Sequence, residues 1–528
     1  MEIFLERAKD GLLTCKVQKE NNRSYYLYSK YKPLRSLETL PEIKQDKNYV
    51  ILGIGLGYEI AHVSENTNGK VIVIDYNRQF YSLIKENNEL KPNISNRNIE
   101  FLFGDEYVNY LSIRNDDFEI IYNPQILELH PAFFAKVLMY LHPKNKSCEN
   151  ITVVLMEHNA LIEDCLDAFK KESFQCIKLN WTTKEKLLLK ISNIRPTFIF
   201  TINYSEIIAE VSETLQIPYI SWTVDTPSYP LYSLKIDTPL SAHFIYDESI
   251  VHTLQKRGVT NVYYLPVAGN PERMMATIRK NNNIQMQYDV SFAGNLTISE
   301  YTQKIEPYLS AETKEIINQL LEEQEQNKAE FIIRSKVSNE LVHRIQEESR
   351  YPIIGNELLS PEEKLAFLLG REHSQRERIR FVQQLEKQRF SFAVFGNDSW
   401  SMFTKNYQGY ADYYEVYPLV FHHSKININL TRTFVETGLP LRVFDVLASK
   451  GFLLTNDKRD IHRLFKDGRD LVVFRDNQDL VEQIEYYLKH EEQRLQIIEN
   501  GHETLHKYHT YSHRIKKIID LLRIKNWI

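Results

Sequence analysis

The sequence lacks the features that announce several common chemistries. Nowhere do two aspartates flank a single residue, so the carboxylate pair that holds a divalent ion against a diphosphate is missing and no metal is implied. The four cysteines, Cys15, Cys148, Cys165 and Cys176, fall in no C-x-x-C and no metal-ligand spacing, and they read as reduced structural thiols. No stretch approaches the roughly 20 apolar residues that cross a bilayer. The opening MEIFLERAKDG is charged where a signal peptide would be apolar. The expectation is a cytoplasmic protein with no transmembrane segment. A basic excess is also missing: 65 Lys and Arg stand against 70 Asp and Glu, a net charge of −5 that argues against a nucleic-acid partner. Without a P-loop or a G-x-S-x-G elbow, kinase and serine-hydrolase readings have no motif to rest on.

What is present is a long α/β chain. Its 528 residues, 43% of them hydrophobic, exceed one ordinary domain, and strands alternate with helices for most of the length. A polar lead-in with the aromatic cluster SYYLYSKY occupies 1–45. NYVILGIGLGYEIAHV, KVIVIDYN, IEFLFGD and FEIIYNP then form a Rossmann-like unit over 46–149. A second unit, 150–284, runs through ITVVLMEHN, PYISWTVD, HFIYDES and VYYLPVA. The third, 285–515, opens with YDVSFAGN and resumes with RFSFAVFGNDSW, SKININLT and DLVVF. Between these lies a Gln/Glu/Lys-rich helical insertion at about 300–375, whose charges read as a solvated face or as an arm for a protein partner. Residues 516–528 end the last helix, which is expected to cross back toward the second unit. The fold class is therefore α/β with three Rossmann-like units.

Three places carry chemistry. Gly53, Gly55 and Gly57 lie between a strand and a helix, where they let the backbone approach a ligand with the helix N-terminus behind it, and Asp75 ends the next strand, where it can meet a ribose. Any tight strand-to-helix crossover uses such glycines too. In GLPLRVFDVLASKGFLLTN, Arg442 sits beside a helix N-terminus that suits phosphate, and Asp445 follows three residues on. The pair reads equally as a salt bridge on a helix face. Asp225, in SWTVDTPSYPLY, follows an apolar strand and so falls at the edge where α/β ligands bind; it can act as a general base or simply make a local turn bond.

Several separated segments add a resemblance. SKININLTRTFVETGLPLRVFDVLASKGFLLTNDKRDIHRLFKDGRDLVVF, the tail YYLKHEEQR to YHTYSHRI, and RPTFIFTIN, PYISWTVDTPSY, YYLPVAGNP and YDVSFAGN resemble, in order, the CgeB-type spore maturation glycosyltransferases. The likeness covers roughly 190–295 and 375–515. It implies a GT-B-like pair of Rossmann domains, formed by the second and third units, that transfers a sugar from a nucleotide-diphosphate sugar to a hydroxyl acceptor on a cell- or spore-surface glycan or a protein. It implies no cofactor beyond that nucleotide-sugar co-substrate. The resemblance places Arg442 at the diphosphate with Lys425 as a second cation, Asp445 at the ribose, Gly294 and Asn295 near the phosphates, and Asn456 along the donor site, with Asp225 facing the acceptor. Lys450 before Gly451, and eight residues rather than seven between Glu436 and Asp445, depart from the wider pattern. They leave donor and stereochemistry undetermined, and no catalytic role passes to Glu436. The first unit resembles S-adenosylmethionine methyltransferases in its G-x-G-x-G turn, and ILGIGLGYEIAHV with NPQILELHPAFFAKVLMY is similar to bacterial flagellin-modifying motility accessory factors. The alternatives are a methyltransferase working through Gly53–Gly57 and Asp75, or a non-catalytic glycan-binding protein.

Overall fold

The computed structural model describes residues 1–19, 24–112, 117–141, 151–281, 287–328 and 330–528. Cys148 and the expected unit boundaries at 149/150 and 284/285 lie outside the described residues. The chain forms two compact units: Met1–Cys148 with Trp181–Arg195 and Thr214–Gln216, and Glu149–Asn180 with Pro196–Glu213 and Ile217–Ile528.

The first unit opens with an antiparallel sheet of β1 (Glu2–Arg7), β2 (Leu13–Gln18) and β3 (Ser24–Tyr26), with Glu2 opposite Gln18 and Arg7 opposite Leu13. The polar lead-in is thus a small sheet, and its buried Leu13, Cys15 and Val17 join the core of the strands that follow. Those strands are parallel: β4 (Asn48–Leu52), β5 (Val71–Asp75), β6 (Ile99–Phe103) and β7 (Phe118–Tyr122), in the order β6-β5-β4-β7. Tyr49–Leu52 and Val71–Ile74 are buried on both faces, which is why they read as continuous apolar runs rather than alternating ones.

The second unit holds two parallel sheets. The first consists of β8 (Thr152–Met156), β9 (Gln175–Leu179), β10 (Phe198–Ile202), β11 (Tyr219–Thr223), β12 (Ser241–Ile245) and β13 (Val262–Tyr264), ordered β13-β12-β11-β10-β8-β9. The second consists of β14 (Tyr288–Ala293), β15 (Phe392–Phe395), β16 (Ser424–Asn429), β17 (Leu453–Asn456) and β18 (Val472–Phe474), ordered β15-β14-β16-β17-β18. The C-terminal helix Tyr511–Ile524 returns to pack on the helix Ile162–Lys171 of the first sheet's layer. Arg514, only 1% exposed, fastens it there: its Nε donates to the carbonyls of Pro266 and Val267 at 2.8 and 3.1 Å.

The helical insertion sits between β14 and β15 and includes the helices Ala311–Gln326, Asn339–Ser349 and Pro361–Leu385. Its last helix departs from the solvated face read from the charges, because Glu372, His373, Ser374, Glu377 and Arg378 are all buried. For the two glutamates burial is tolerated because their charges are answered locally: Arg376 Nε meets Glu372 at 2.5 Å and Lys328 meets Glu377 at 3.3 Å. Ser360 starts that helix with a reciprocal capping box to Glu363.

Cys15, Cys165 and Cys176 are free thiols, and burial pushes all three above the usual thiol range, Cys15 to about 12. Cys15 and Cys165 are buried in the core, and Cys176 is half-buried. Among the described residues, no helix is long and apolar enough to cross a membrane.

Candidate active site

Parallel strands deliver all their carboxyl ends to one edge of the sheet. In the second unit both sheets bring that edge to a single cleft of about 320 Å³. The first sheet contributes His158 beyond β8, Asp225 and Thr226 beyond β11, and Tyr246 beyond β12. Asn295 beyond β14 and Leu430–Arg432 beyond β16 come from the second sheet, with Pro440–Arg442 at the head of the helix Leu441–Ala448. Arg378 arrives from the insertion helix Pro361–Leu385.

The second sheet's side of the cleft is cationic. Arg442 donates from Nη1 to Asn429 Oδ1 at 3.0 Å, and its guanidinium carbon lies 5.6 Å from the centroid of Phe292. It also lies over Gly294, where a β-carbon would stand 2.5 Å from Arg442 Nη2. Arg378 donates to the carbonyl of Asn295 at 2.8 Å. Among the described residues, neither of these arginines nor Arg432 has a carboxylate within ion-pairing distance. Burial, and then neighbouring arginines, hold all three below the usual guanidinium range. Positive charge concentrated on one buried and two half-buried arginines, with no carboxylate in ion-pairing contact, is costly, and an anionic ligand relieves it. Pro440 precedes the helix with no side-chain cap, so first-turn N–H groups add further donors beside Arg442.

The facing side carries acid–base groups. Asp225 Oδ2 accepts from Asn203 Nδ2 at 2.7 Å, while Asn203 Oδ1 accepts from Val224 N at 3.0 Å, which fixes the carboxylate against its own strand end. His158 is held below the usual imidazole range by burial, against the opposing pull of Asp225. Its ring is neutral at pH 7 and able to accept a proton. Trp222, three residues before Asp225, is a core residue with no exposure, its Nε1 donating to Leu265 O at 3.1 Å.

The structure brings Arg442, Asn295 and Asp225 into the cleft, with Gly294 directly beneath Arg442. Lys425 is not there. It stands at the amino end of β16, ion-paired to Asp289 at 2.7 Å, and Arg378 and Arg432 are the additional cations instead. Asn456 grips the Thr431 backbone in both directions, accepting from its N at 2.7 Å and donating to its O at 3.0 Å, and so fixes the turn that leads into Arg432. Asp445 is 3% exposed and does not line the cleft. Tyr413 Oη donates to it at 3.3 Å, and Arg273, itself paired to Asp164 at 2.9 Å, lies against the rings of Tyr413 and Tyr414. Burial pushes the Asp445 carboxyl up to about 8, only partly offset by Arg273.

In the first unit the glycine turn is filled by its own chain. A β-carbon at Gly53 would strike Ile126, and one at Gly55 would strike Tyr28 and Ile126. Tyr28 Oη accepts from Leu56 N at 3.1 Å and donates to the buried Glu59 at 2.9 Å. Asp75, where a ribose would hydrogen-bond, accepts from Ile54 N at 2.8 Å and Tyr76 N at 2.6 Å, and burial pushes it up to about 6. Gly57 is packed against Asn93 and Ile94.

Sequence reasoning missed His158, Arg378 and Arg432. The position of His158 beyond the apolar strand TVVLM is the same signal that singled out Asp225. Arg378 was hidden in a charge run, and only the packing of its helix separates it from solvated neighbours. Among the described residues, no group of three or more His, Cys, Asp or Glu side chains is placed to hold a metal ion.

Residues 375–520, which span most of the second sheet and the C-terminal helices, match the model of a family described as glycosyl transferase-like. No curated protein matches the chain. Among solved structures, the chain is similar to a glycosyltransferase from Rickettsia africae (9% identity, 71% of this chain and 99% of that one, TM-score 0.37). It is also similar to Anabaena Alr3699/HepE in complex with UDP and glucose (8%, 71% and 100%, 0.40) and to sucrose-phosphate synthase from Thermosynechococcus elongatus (9%, 70% and 98%, 0.38). The second unit thus combines a two-sheet Rossmann-like architecture with a glycosyltransferase-like domain.

Proposed function

We propose that the cleft of the second unit transfers a sugar from a nucleotide-diphosphate sugar to a hydroxyl acceptor. The observation that carries this reading is the convergence of Arg378, Arg432, Arg442 and an uncapped helix N-terminus opposite Asp225 and His158, with none of the three arginines ion-paired among the described residues. Such a set neutralises the diphosphate as it departs. The acceptor oxygen loses its proton to Asp225 or His158 and attacks the anomeric carbon, while the bond from that carbon to the phosphate oxygen breaks and the electron pair leaves with the diphosphate. Asp445 acts through Tyr413, holding the loop beside Arg442, rather than on the donor itself. The resemblance to CgeB-type enzymes supports an acceptor on a surface glycan or protein, with transfer taking place in the cytoplasm. Nothing in the filled glycine turn of the first unit favours methyl transfer.

A thermal-shift screen of the full chain against UDP, GDP, dTDP and CMP tests the proposal. A ligand at a hundred times its Kd stabilises by about 2.7 kcal/mol. A shift with one nucleotide diphosphate that disappears in Arg442→Ala supports the reading; a shift unaffected by that substitution sinks it.

A further inference from the structure

Beside the main cleft, and sharing Arg378 and Arg432 with it, lies a smaller cavity of about 170 Å³. It is framed by Thr297 from the loop after β14 and by Arg371, Ser374, Gln375 and Arg378 from the helix Pro361–Leu385. Arg371, Ser374 and Arg378 are three and then four residues apart, so they present one face of that helix. Gln375 is already engaged, its Oε1 accepting from Ser299 N at 2.6 Å, and this bond ties the loop to the helix as the wall of the cavity.

Two observations point to a ligand here. Three guanidinium groups converge, and among the described residues none of them has a carboxylate within ion-pairing distance. The acidic neighbours on the same helix are committed elsewhere: Glu372 to Arg376 at 2.5 Å and Glu377 to Lys328 at 3.3 Å. Independently, Ser374 is 3% exposed and its hydroxyl has no hydrogen-bond partner among the described residues. A buried hydroxyl left unbonded is costly, and one beside three arginines is placed to donate to an anion.

Resting on the reading of the main cleft as the donor site, we propose that this cavity binds a second anionic group, a carboxylate or phosphate carried by the transferred sugar or by the acceptor. Arg371 and Ser374 hold it, and Arg378 and Arg432 are shared with the diphosphate next door. The substrate class is then an acidic or phosphorylated sugar rather than a neutral one. Arg371 has its guanidinium carbon 5.7 Å from the ring centroid of Tyr229, which orients it without neutralising it.

Isothermal titration of the full chain tests this. With UDP or GDP at saturation, whichever binds, glucuronate and glucose 6-phosphate are titrated beside neutral glucose. The expected result is binding of an anion but not of glucose, weakened about tenfold in Arg371→Gln and in Ser374→Ala with nucleotide affinity unchanged. Tighter binding of UDP-glucuronate than of UDP-glucose, with the preference lost in Arg371→Gln, assigns the anion to the transferred sugar. Binding of the free acidic sugar on top of nucleotide assigns it to the acceptor. Anionic and neutral compounds that behave alike in the unsubstituted protein, or a preference that survives Arg371→Gln, overturn the proposal. Should no nucleotide bind, the donor reading has failed, and inorganic phosphate decides the cavity separately: binding that Arg371→Gln weakens supports it, and binding that ignores Arg371→Gln, or none, removes it.

Discussion

Gly294 and Arg442 compete for one volume: a β-carbon on the glycine would stand 2.5 Å from Nη2 of the arginine, closer than unbonded atoms approach. The strand end gives up its side chain so that a guanidinium can lie across it. Because the arginine is the flexible partner, Gly294→Ala moves Arg442 rather than breaking the sheet. The substitution is expected to leave the melting temperature nearly unchanged and to weaken nucleotide-diphosphate binding about tenfold, since a misplaced donor loses roughly one charge-assisted hydrogen bond. Calorimetric titration beside a melting curve reads both quantities. Unchanged affinity would remove Arg442 from the donor site.

On the opposite wall, Asp225 and His158 divide a different task. If Asp225 takes the acceptor proton, Asp225→Asn cuts turnover by roughly 10²- to 10⁴-fold and leaves nucleotide affinity intact. His158 is neutral at pH 7 because burial holds it below the usual imidazole range, so it gains a proton only under more acidic conditions. A profile of rate against pH then distinguishes the two bases. An acidic limb that vanishes in His158→Gln names the histidine, whereas a limb that persists there and collapses in Asp225→Asn names the carboxylate.

The first unit invites a negative control. Tyr28 Oη stands where the glycine turn would receive a ligand and bonds both to Leu56 N and to Glu59. Tyr28→Phe leaves a buried carboxylate and a buried N–H short of one partner each, at a cost of about 1–3 kcal/mol in stability. S-adenosylmethionine is expected to give no thermal shift with either protein. A shift with the unsubstituted protein would show that Tyr28 swings aside and would return the glycine turn to the list of ligand sites.

The contrast between these two units shows what the sequence made legible. Strand positions were readable because parallel strands buried on both faces are apolar runs, and the polar residue just past each run marks the binding edge. Asp225 follows from that rule, and His158 obeys it as well; Arg442 was legible instead from its place at a helix N-terminus, and Gly294 and Asn295 from the family resemblance. Glycine spacing was less informative, because G-x-G-x-G records a close approach without saying by what; at Gly55 the approaching group is Tyr28 of the same chain. Lys425 misled because charge says nothing about which end of a strand a residue occupies. The arginines of the insertion could not be separated from their solvated neighbours, since their burial depends on helices packed from distant sequence.

Asp445 bears most directly on why a packed helix carries a cation and an anion together. Burial pushes its carboxyl up to about 8, against an ordinary 3.8. Between those values the folded protein keeps a proton that the unfolded chain releases, so the native state binds more protons and stability falls as pH rises through that interval. The neutral isostere Asp445→Asn removes this dependence. Melting temperatures of the two proteins should therefore converge near about pH 4 and separate toward about pH 8, with the asparagine variant the more stable by about 2 °C or more. Nucleotide affinity measured on the same samples assigns the role. If Asp445 only holds Tyr413 in place, Asp445→Asn keeps most of the binding and Tyr413→Phe changes it by a similar small amount. If the carboxylate reaches a ribose once the loop opens, affinity falls about tenfold in Asp445→Asn alone. In the first case Arg442 is the helix's ligand-binding residue and the acid beneath it is a support; in the second, both charges meet the donor.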